Sequence, residues 1–277
     1  MRTRLMWLIL ALALVPTTTA WAADPPYYLA LGDSLAVGVQ PDVTGHLRPT
    51  SQGYADDLHS LYRRLLPGLQ LVKLGCNGET TTSMITGEDT QCRNKYPAGS
   101  QLREAVAFLQ EHQGQVVLIT IDIGGDNLLG CLRLDSPIDP ACVTTAAGVA
   151  ARDLTTILAT LRTFAPGVLI VGMNYNDPLV AAAVFGQAGK TLATVSLQAS
   201  ERFNQALEAV YDALLVPVAD VAATFRTNTT SLTPLNVGIA LTWTWMGAPP
   251  PRGPDVHPNA IGYLAIASAF VKAIAHP

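Results

Sequence analysis

Short apolar runs and stretches of helical period alternate along the chain. Five runs rich in Val, Ile and Leu predict strands that are buried on both faces. They are Tyr27–Leu31, Leu69–Leu74, Val116–Ile123, Val168–Met173 and Leu215–Val221. Longer segments predict helices, because their apolar residues recur three and four positions apart. These are Tyr54–Leu66, Gln101–His112, Val143–Phe164, Thr191–Leu214 and Asn259–Ala275.

This alternation is typical of α/β proteins, in which right-handed crossovers join parallel strands. The sequence therefore predicts a three-layer α/β/α sandwich around a five-stranded, mostly parallel sheet. No internal repeat or linker divides the chain, so residues 23–277 are predicted to form a single domain.

The segment Arg226–Asp255 departs from the alternation. It is rich in Thr, Asn and Pro, contains Trp243 and Trp245, and has no clear period. Irregular segments of this length are often binding or lid elements, although a passive surface loop would have the same composition.

Residues 1–22 have the pattern of an export signal. Two arginines precede the apolar stretch Leu5–Val15, and Ala20 and Ala22 supply small residues at the −3 and −1 positions of a cleavage site. The stretch is 11 residues long, whereas a membrane span needs about 20. We therefore expect cleavage after Ala22, an extracellular product and no stable membrane span.

Composition and charge indicate which kinds of binding partner to expect. The chain has 277 residues, 49% of them apolar and 14% charged, and a formal net charge of −4. A chain of this length can bury a large core without a metal or a second subunit, so we expect a monomer. An acidic chain lacks the basic surface of nucleic-acid binders, and we expect no nucleic-acid partner.

Four cysteines fit an oxidising compartment. Cys76 and Cys92 flank one polar loop, and Cys131 and Cys142 flank another. Three pairings are possible, and the sequence-local one closes both loops. The chain has no Cys-x-x-Cys or His-Glu-x-x-His motif, so a zinc site has little support. We predict the disulfides Cys76–Cys92 and Cys131–Cys142, and no metal site.

Candidate chemistry lies where predicted strands end, since ligand sites of open α/β sheets form outside the carboxyl ends of the strands. Ser34 follows the first strand in Gly-Asp-Ser-Leu, Gly78 follows the second strand, and Gly124-Gly125-Asp126-Asn127 follows the third. Taken alone, Ser34 could be a helix N-cap and Gly78 a plain turn glycine.

A base is available among five histidines. His257 lies in Asp255-Val256-His257-Pro258, just before the last predicted helix and beside a carboxylate. The other four fall in or near helix surfaces or in the tail. Together with Ser34, His257 indicates a nucleophile and its general base.

Taken together, these segments resemble the four sequence blocks of the GDSL, or SGNH, hydrolases, from about Tyr28 to Ala275. Asn174–Pro178, the two Cys-closed loops and Thr242–Trp245 resemble secreted bacterial members with lipase or esterase activity. The resemblance implies a flavodoxin-like α/β/α fold and a serine hydrolase of acyl esters that needs no cofactor.

The resemblance also implies residue roles. Ser34 matches the nucleophile, His257 the general base, and Ser34, Gly78 and the Asp126–Asn127 pair match the oxyanion hole. The family's third block reads Gly-x-Asn-Asp, whereas the last two residues are exchanged here. Because an ionised Asp can only accept hydrogen bonds, we expect Asn127 to have turned into the donor role. The alternatives are a protonated Asp126 in a dry site, or a slow enzyme.

A second departure concerns the acid of the triad. The family's acid usually lies three residues before the His, whereas Asp255 lies two before it and Pro254 takes the usual place. Either the Asp255 carboxylate or the Pro254 carbonyl is therefore expected to orient His257.

The expected function is hydrolysis of a small-molecule or lipid ester by a secreted lipase or esterase. A carbohydrate O-deacetylase of the same fold is one alternative. A secreted binding protein with impaired catalysis is another, since the third block is altered. The apolar, tryptophan-bearing segment before His257 favours a lipid-like acyl chain.

Overall fold

The computed structural model describes residues 25–88, 92–132 and 137–276. The predicted export signal, residues 1–22, lies outside the described residues. Nine α-helices form in the described residues: α1 Tyr54–Tyr62, α2 Thr81–Thr86, α3 Gln101–Glu111, α4 Gly125–Leu129, α5 Pro140–Phe164, α6 Gly186–Ala213, α7 Val221–Thr224, α8 Pro234–Trp243 and α9 Ala260–Ala275. None of the helices in this part of the chain has both the length and the apolar character needed to cross a membrane.

A parallel sheet of five strands forms the centre of the molecule. In chain order its strands are β1 Tyr27–Gly32, β4 Gln70–Lys73, β5 Val116–Asp122, β6 Leu169–Met173 and β7 Val218–Ala219. Their spatial order is β4-β1-β5-β6-β7, and every neighbouring pair is parallel. The short strands β2 Gln40–Pro41 and β3 Leu47–Arg48 form a separate antiparallel pair. The predicted sandwich and its five-stranded sheet are confirmed.

The side chains of β1 alternate between two cores, as the period of two of a strand requires. Leu29 and Leu31 pack with α3, α5 and α6 on one face of the sheet. Tyr28 and Ala30 pack with α1 and α9 on the other face. A strand that is buried on both faces explains why this run lacks polar residues until its end.

The predicted extent of the last strand, Leu215–Val221, needs correction. Leu215 was predicted to begin a buried strand, but it is 85% exposed and has a φ of +52° in the turn after α6. Strand β7 therefore has only two residues. Its pairing with β6 is limited to Gly172 and Met173.

The segment Arg226–Asp255 is more ordered than its sequence indicates. Helix α8 begins after Thr233, whose hydroxyl accepts the Asn236 N–H at 3.2 Å while the Asn236 side chain accepts the Thr233 N–H at 2.9 Å. Pro234 occupies the first helical position, where it is well tolerated. A 3-10 turn, Trp245–Gly247, follows α8 and leads towards His257.

Candidate active site

The turn after β1 holds Ser34 at the carboxyl end of the sheet. Gly32 has a φ of +136°, and a Cβ there would lie 1.9 Å from the Asp122 carbonyl oxygen, so only glycine fits. The side chain of Gln101 forms two hydrogen bonds to the same residue: it accepts the Gly32 N–H at 2.7 Å and donates to the Gly32 carbonyl at 2.9 Å. The backbone turn that carries Ser34 is therefore held in one conformation at the end of β1.

Two buried carboxyl groups support this turn. Asp33 accepts the Leu35 N–H at 2.9 Å and the Tyr175 hydroxyl at 2.7 Å. Asp122 accepts the Ala36 N–H at 3.1 Å and the Asp33 N–H at 3.3 Å. Burial raises the pKa of Asp122 well above its ordinary value, and the neighbouring charge of Asp33 raises it further. The pair is thus expected to retain a proton on Asp122.

Asp122 and Tyr175 are not among the site residues predicted from the sequence. A signal for Asp122 was present, because it is the one charged residue of the apolar run Val116–Ile123. Tyr175 lies in a segment that carried the family resemblance, but nothing in the sequence indicated a contact with Asp33.

His257 lies in the loop between α8 and α9. Its Nδ1 is 2.8 Å from Asp255 Oδ1, which also accepts the His257 N–H at 2.9 Å. The His257 side chain is 8% exposed and the Asp255 side chain 20%. The backbone of Trp245 holds this loop in place. Its backbone N–H donates to the His257 carbonyl at 2.9 Å, and its backbone carbonyl accepts the Asp255 N–H at 3.2 Å.

The pKa of Asp255 is set by two opposing effects. Burial alone would raise the pKa, but the hydrogen bonds and the charge of His257 outweigh it and bring the pKa below its ordinary value. Asp255 is therefore ionised at neutral pH and can hold the proton of Nδ1, leaving Nε2 of His257 as the acceptor nitrogen.

The second block forms a turn beside Ser34. The Cys76 N–H donates to the Gly32 carbonyl at 3.1 Å, and the Glu79 N–H donates to the Cys76 carbonyl at 3.2 Å. Gly78 has a φ of +83°, which this turn requires. The disulfide Cys76–Cys92 closes the loop that follows.

The two exchanged residues of the third block, Asp126 and Asn127, have different surroundings. The Asn127 side chain accepts the Thr81 N–H and donates to the Thr81 hydroxyl, both at 3.0 Å. The Thr81 hydroxyl donates onwards to Asp153 at 3.2 Å. Asn127 thus ties α4 to the first turn of α2, while Asp126 lines the pocket described next.

One pocket brings three of the six predicted site residues together. Ser34, Asp126 and His257 share its wall with Asn77. Further apolar side chains line it: Leu35, Leu128, Leu129, Leu132, Ile138, Leu179, Ala199 and Val256. Polar side chains also line it: Asn176, Asp177, Ser196, Ser200 and Asn204. Gly78, Asn127 and Asp255 do not line the pocket themselves.

The second disulfide lies behind the apolar wall of the pocket. Cys131 is joined to Cys142, and both pack with Leu128, Leu132 and Ile138. Both sequence-local pairs are therefore present in the structure.

Comparison with known proteins gives a family and a fold. The model of the GDSL-like lipase/acylhydrolase family matches residues 30–265. No curated protein sequence matches the chain.

Several solved structures share the fold. Phospholipase A1 from Streptomyces albidoflavus NA297 is 18% identical, with a TM-score of 0.59, and the match covers 90% of this chain and 99% of that one. An extracellular lipase from Streptomyces rimosus is 19% identical, with a TM-score of 0.59 and the same coverage, 90% and 99%. A variant of Axe2, an acetyl xylan esterase from Geobacillus stearothermophilus, is 16% identical, with a TM-score of 0.52 and coverage of 90% and 94%.

Proposed function

The chain belongs to the GDSL-like lipase/acylhydrolase family, and from that premise we propose that it is an exported serine hydrolase of carboxylic esters. The observation that carries the proposal is the Asp255–His257 pair at 2.8 Å, whose His257 lines the same pocket as Ser34. A nucleophile, a base and an orienting carboxylate are the components of acyl transfer through a covalent intermediate.

The proposed reaction has two halves. Nε2 of His257 takes the Ser34 hydroxyl proton as Oγ attacks the ester carbonyl carbon, and Asp255 stabilises the imidazolium. The tetrahedral intermediate collapses, the alcohol leaves with the proton from His257, and Ser34 is acylated. Water then attacks the acyl group, with His257 again taking the proton. Collapse of the second intermediate releases the acid and restores Ser34.

The oxyanion is proposed to bind to the N–H groups of Ser34 and Gly78. The turn conformation of Gly78 and the contact of its loop with the Ser34 turn support these two donors. The sequence predicts Asn127, or Asp126 as its alternative, as the third-block donor. The two hydrogen bonds of Asn127 to Thr81 instead support a role in holding the second and third blocks together.

The substrate is proposed to be an ester with a lipid-like acyl group. The apolar wall formed by α4 and the Cys131–Cys142 loop supports this, as does the structural likeness to a lipase and a phospholipase A1. A carbohydrate O-deacetylase is the second candidate. Its support is the polar wall near Asn176 and Ser200, and the likeness to an acetyl xylan esterase.

Export is proposed from two observations. The protein contains two disulfides, which form and persist in oxidising compartments. One of the similar structures is an extracellular lipase. N-terminal sequencing of the protein from culture medium should then give Ala23 as its first residue.

Hydrolysis of p-nitrophenyl esters from acetate to palmitate, with a fluorophosphonate probe in parallel, tests the proposal. The wild type should cleave a range of these esters and be labelled on Ser34, whereas Ser34→Ala should be inactive and unlabelled. His257→Ala should lose nearly all activity, because it removes the base that is proposed to take the Ser34 proton. Labelling of a different serine would refute the assignment, and activity limited to acetate would favour the deacetylase.

A further inference from the structure

The altered third block leaves the oxyanion hole short of one donor. A tetrahedral intermediate carries a developing negative oxygen, and each well-placed donor contributes a factor of about 10²–10³ to kcat. Asp126 is the third-block side chain at the pocket wall. An ionised carboxylate offers no proton to that oxygen.

Asn127 is committed elsewhere. Both its oxygen and its nitrogen bond to Thr81, whose hydroxyl continues to Asp153. Turning the amide of Asn127 towards the pocket would release the Thr81 N–H at the start of α2 and break this chain of hydrogen bonds. An exchange of two adjacent residues has thus moved the amide from the pocket to a scaffold position.

The second block provides another amide. Asn77 lines the same pocket as Ser34 and Asp126. Within the described residues its side chain has no hydrogen-bond partner, in contrast to that of Asn127, so both of its N–H groups are open to a ligand.

The backbone that carries Asn77 is held firmly against the nucleophile. A Cβ on Gly75 would lie 2.5 Å from Ala36 Cβ and 2.8 Å from the Asp33 carbonyl oxygen, so the two turns pack in direct contact. The Cys76 N–H also bonds to the Gly32 carbonyl at 3.1 Å. Donors on a fixed backbone need no reorganisation when charge develops, which is what an oxyanion hole requires.

We propose that the side-chain amide of Asn77 is the third oxyanion donor and replaces the amide that the third block has lost. The inference rests on the proposed function, with Ser34 as the nucleophile. Asn77 is then a catalytic residue, and Asn127 a positioning residue that joins α2 to α4. The competing explanation is that Asn77 only shapes its turn, a position in which Asn is common.

Steady-state kinetics with p-nitrophenyl butyrate test this proposal. Asn77→Ala should lower kcat by about 10²–10³ with little change in KM. Asn77→Asp, which has nearly the same shape, should lower kcat at least as much, because it replaces donors by a charge. Asn228→Ala is the control, since Asn228 is an exposed asparagine that does not line the pocket. It should stay within about threefold of the wild type on both constants.

A double variant tests whether the lost contribution is a donor. Asp126→Asn in the Asn77→Ala background should recover at least tenfold in kcat, because an amide returns to the third block. A kcat of Asn77→Ala and Asn77→Asp within about threefold of the wild type would overturn the proposal, and so would a double variant with no recovery. A large loss in Asn176→Ala alone, at another asparagine of the pocket wall, would transfer the role to that residue.

Failure of this proposal is distinguishable from failure of the proposed function. Stoichiometric fluorophosphonate labelling should still reach Ser34 in Asn77→Ala, although more slowly than in the wild type. If the wild type is unlabelled at Ser34, the proposed function itself is wrong. Equal labelling rates in the two proteins would count against Asn77 alone.

Discussion

The charged carboxylate of Asp255 holds the His257 ring in one orientation through its contact with Nδ1. Asp255→Asn removes this charge and keeps the shape, and kcat/KM should fall on the order of 10²–10⁴, as expected when the wrong imidazole tautomer is favoured.

Because the pKa of Asp255 lies below its ordinary value, the carboxylate stays ionised across the neutral range and contributes stability there. That contribution is lost only as the pH falls through the depressed pKa.

Kinetics of Asp255→Asn at pH 8, with a circular dichroism spectrum as the control for folding, check this prediction. The Asp255–Nδ1 distance of 2.8 Å supports the carboxylate over the Pro254 carbonyl as the orienting group. Activity near that of the wild type would contradict this choice and leave the Pro254 carbonyl.

The ionised carboxylate of Asp177 should lower the free energy of unfolding at neutral pH. Burial raises its pKa from 3.8 to about 6, although hydrogen bonds from Ser196 and the Leu179 N–H oppose the rise. Between these two values the folded protein binds more protons here than the unfolded chain, so stability falls as the pH rises and stays lower above about 6. A difference of about 2 in pKa corresponds to roughly 3 kcal/mol.

Asp177→Asn should therefore raise the free energy of unfolding at pH 8 by up to about 3 kcal/mol, and change it little at pH 4. An amide can still accept the Leu179 N–H and can donate to Ser196, whose hydroxyl already bonds to the Ala193 carbonyl at 3.0 Å. Urea denaturation at both pH values measures the difference.

The chain offers a matched control for this change. Asp139 also caps a helix before a proline, with its carboxylate accepting the Ala141 N–H at 2.9 Å, but it is exposed. Asp139→Asn should show no pH-dependent gain. An equal gain at pH 4 and pH 8 in Asp177→Asn would show that the effect is not one of ionisation.

At the scale of the elements, the disulfide Cys131–Cys142 holds α4 to the start of α5. By the chain-entropy model, a cross-link between residues 11 apart stabilises the fold by roughly 3 kcal/mol. The double variant Cys131→Ser, Cys142→Ser should lose about that much free energy of unfolding, measured by urea denaturation.

The same double variant should weaken cleavage of long-chain esters more than of acetate, because both cysteines pack behind the apolar wall. Cys76→Ser, Cys92→Ser is the comparison, since that pair lies by the second block. Unchanged denaturation midpoints in both variants would contradict the stabilising role of the disulfides.

The elements that were predicted correctly are those whose own pattern determines them. Strand β1 has five buried residues, and its unbroken apolar run identifies it without tertiary information. Helix α8 was missed because its apolar residues surround the whole helix, so no stripe with a period of 3.6 appears. Its start signals, Thr233 followed by Pro234, were present in the sequence.

The order of the parallel strands predicts which segments of the site lie close together. Ser34 and the third block follow β1 and β5, which pair directly, so their proximity follows from the strand order. The direction of each side chain does not follow from it. Whether Asp126 or Asn127 faces the pocket depends on contacts with Thr81, which is 46 residues away from Asn127.

At the scale of the whole molecule, the proposed nucleophile and the proposed base come from opposite ends of the fold. Ser34 follows the first strand, and His257 precedes the last helix. Helix α9 completes the arrangement, because its Tyr263 hydroxyl donates to the Val39 carbonyl at 2.9 Å and its Phe270 stacks on Tyr54 of α1 at 4.7 Å between ring centroids.

This separation has a consequence for biosynthesis. If Ser34 and His257 act as proposed, a nascent chain whose C-terminal segment is still inside the ribosome lacks the base and has no α9 to cover α1. If the proposed export is correct, a chain threaded unfolded across the membrane likewise has no assembled site until its C-terminal part has emerged. On these two proposals, activity towards esters appears only in the compartment where folding is completed.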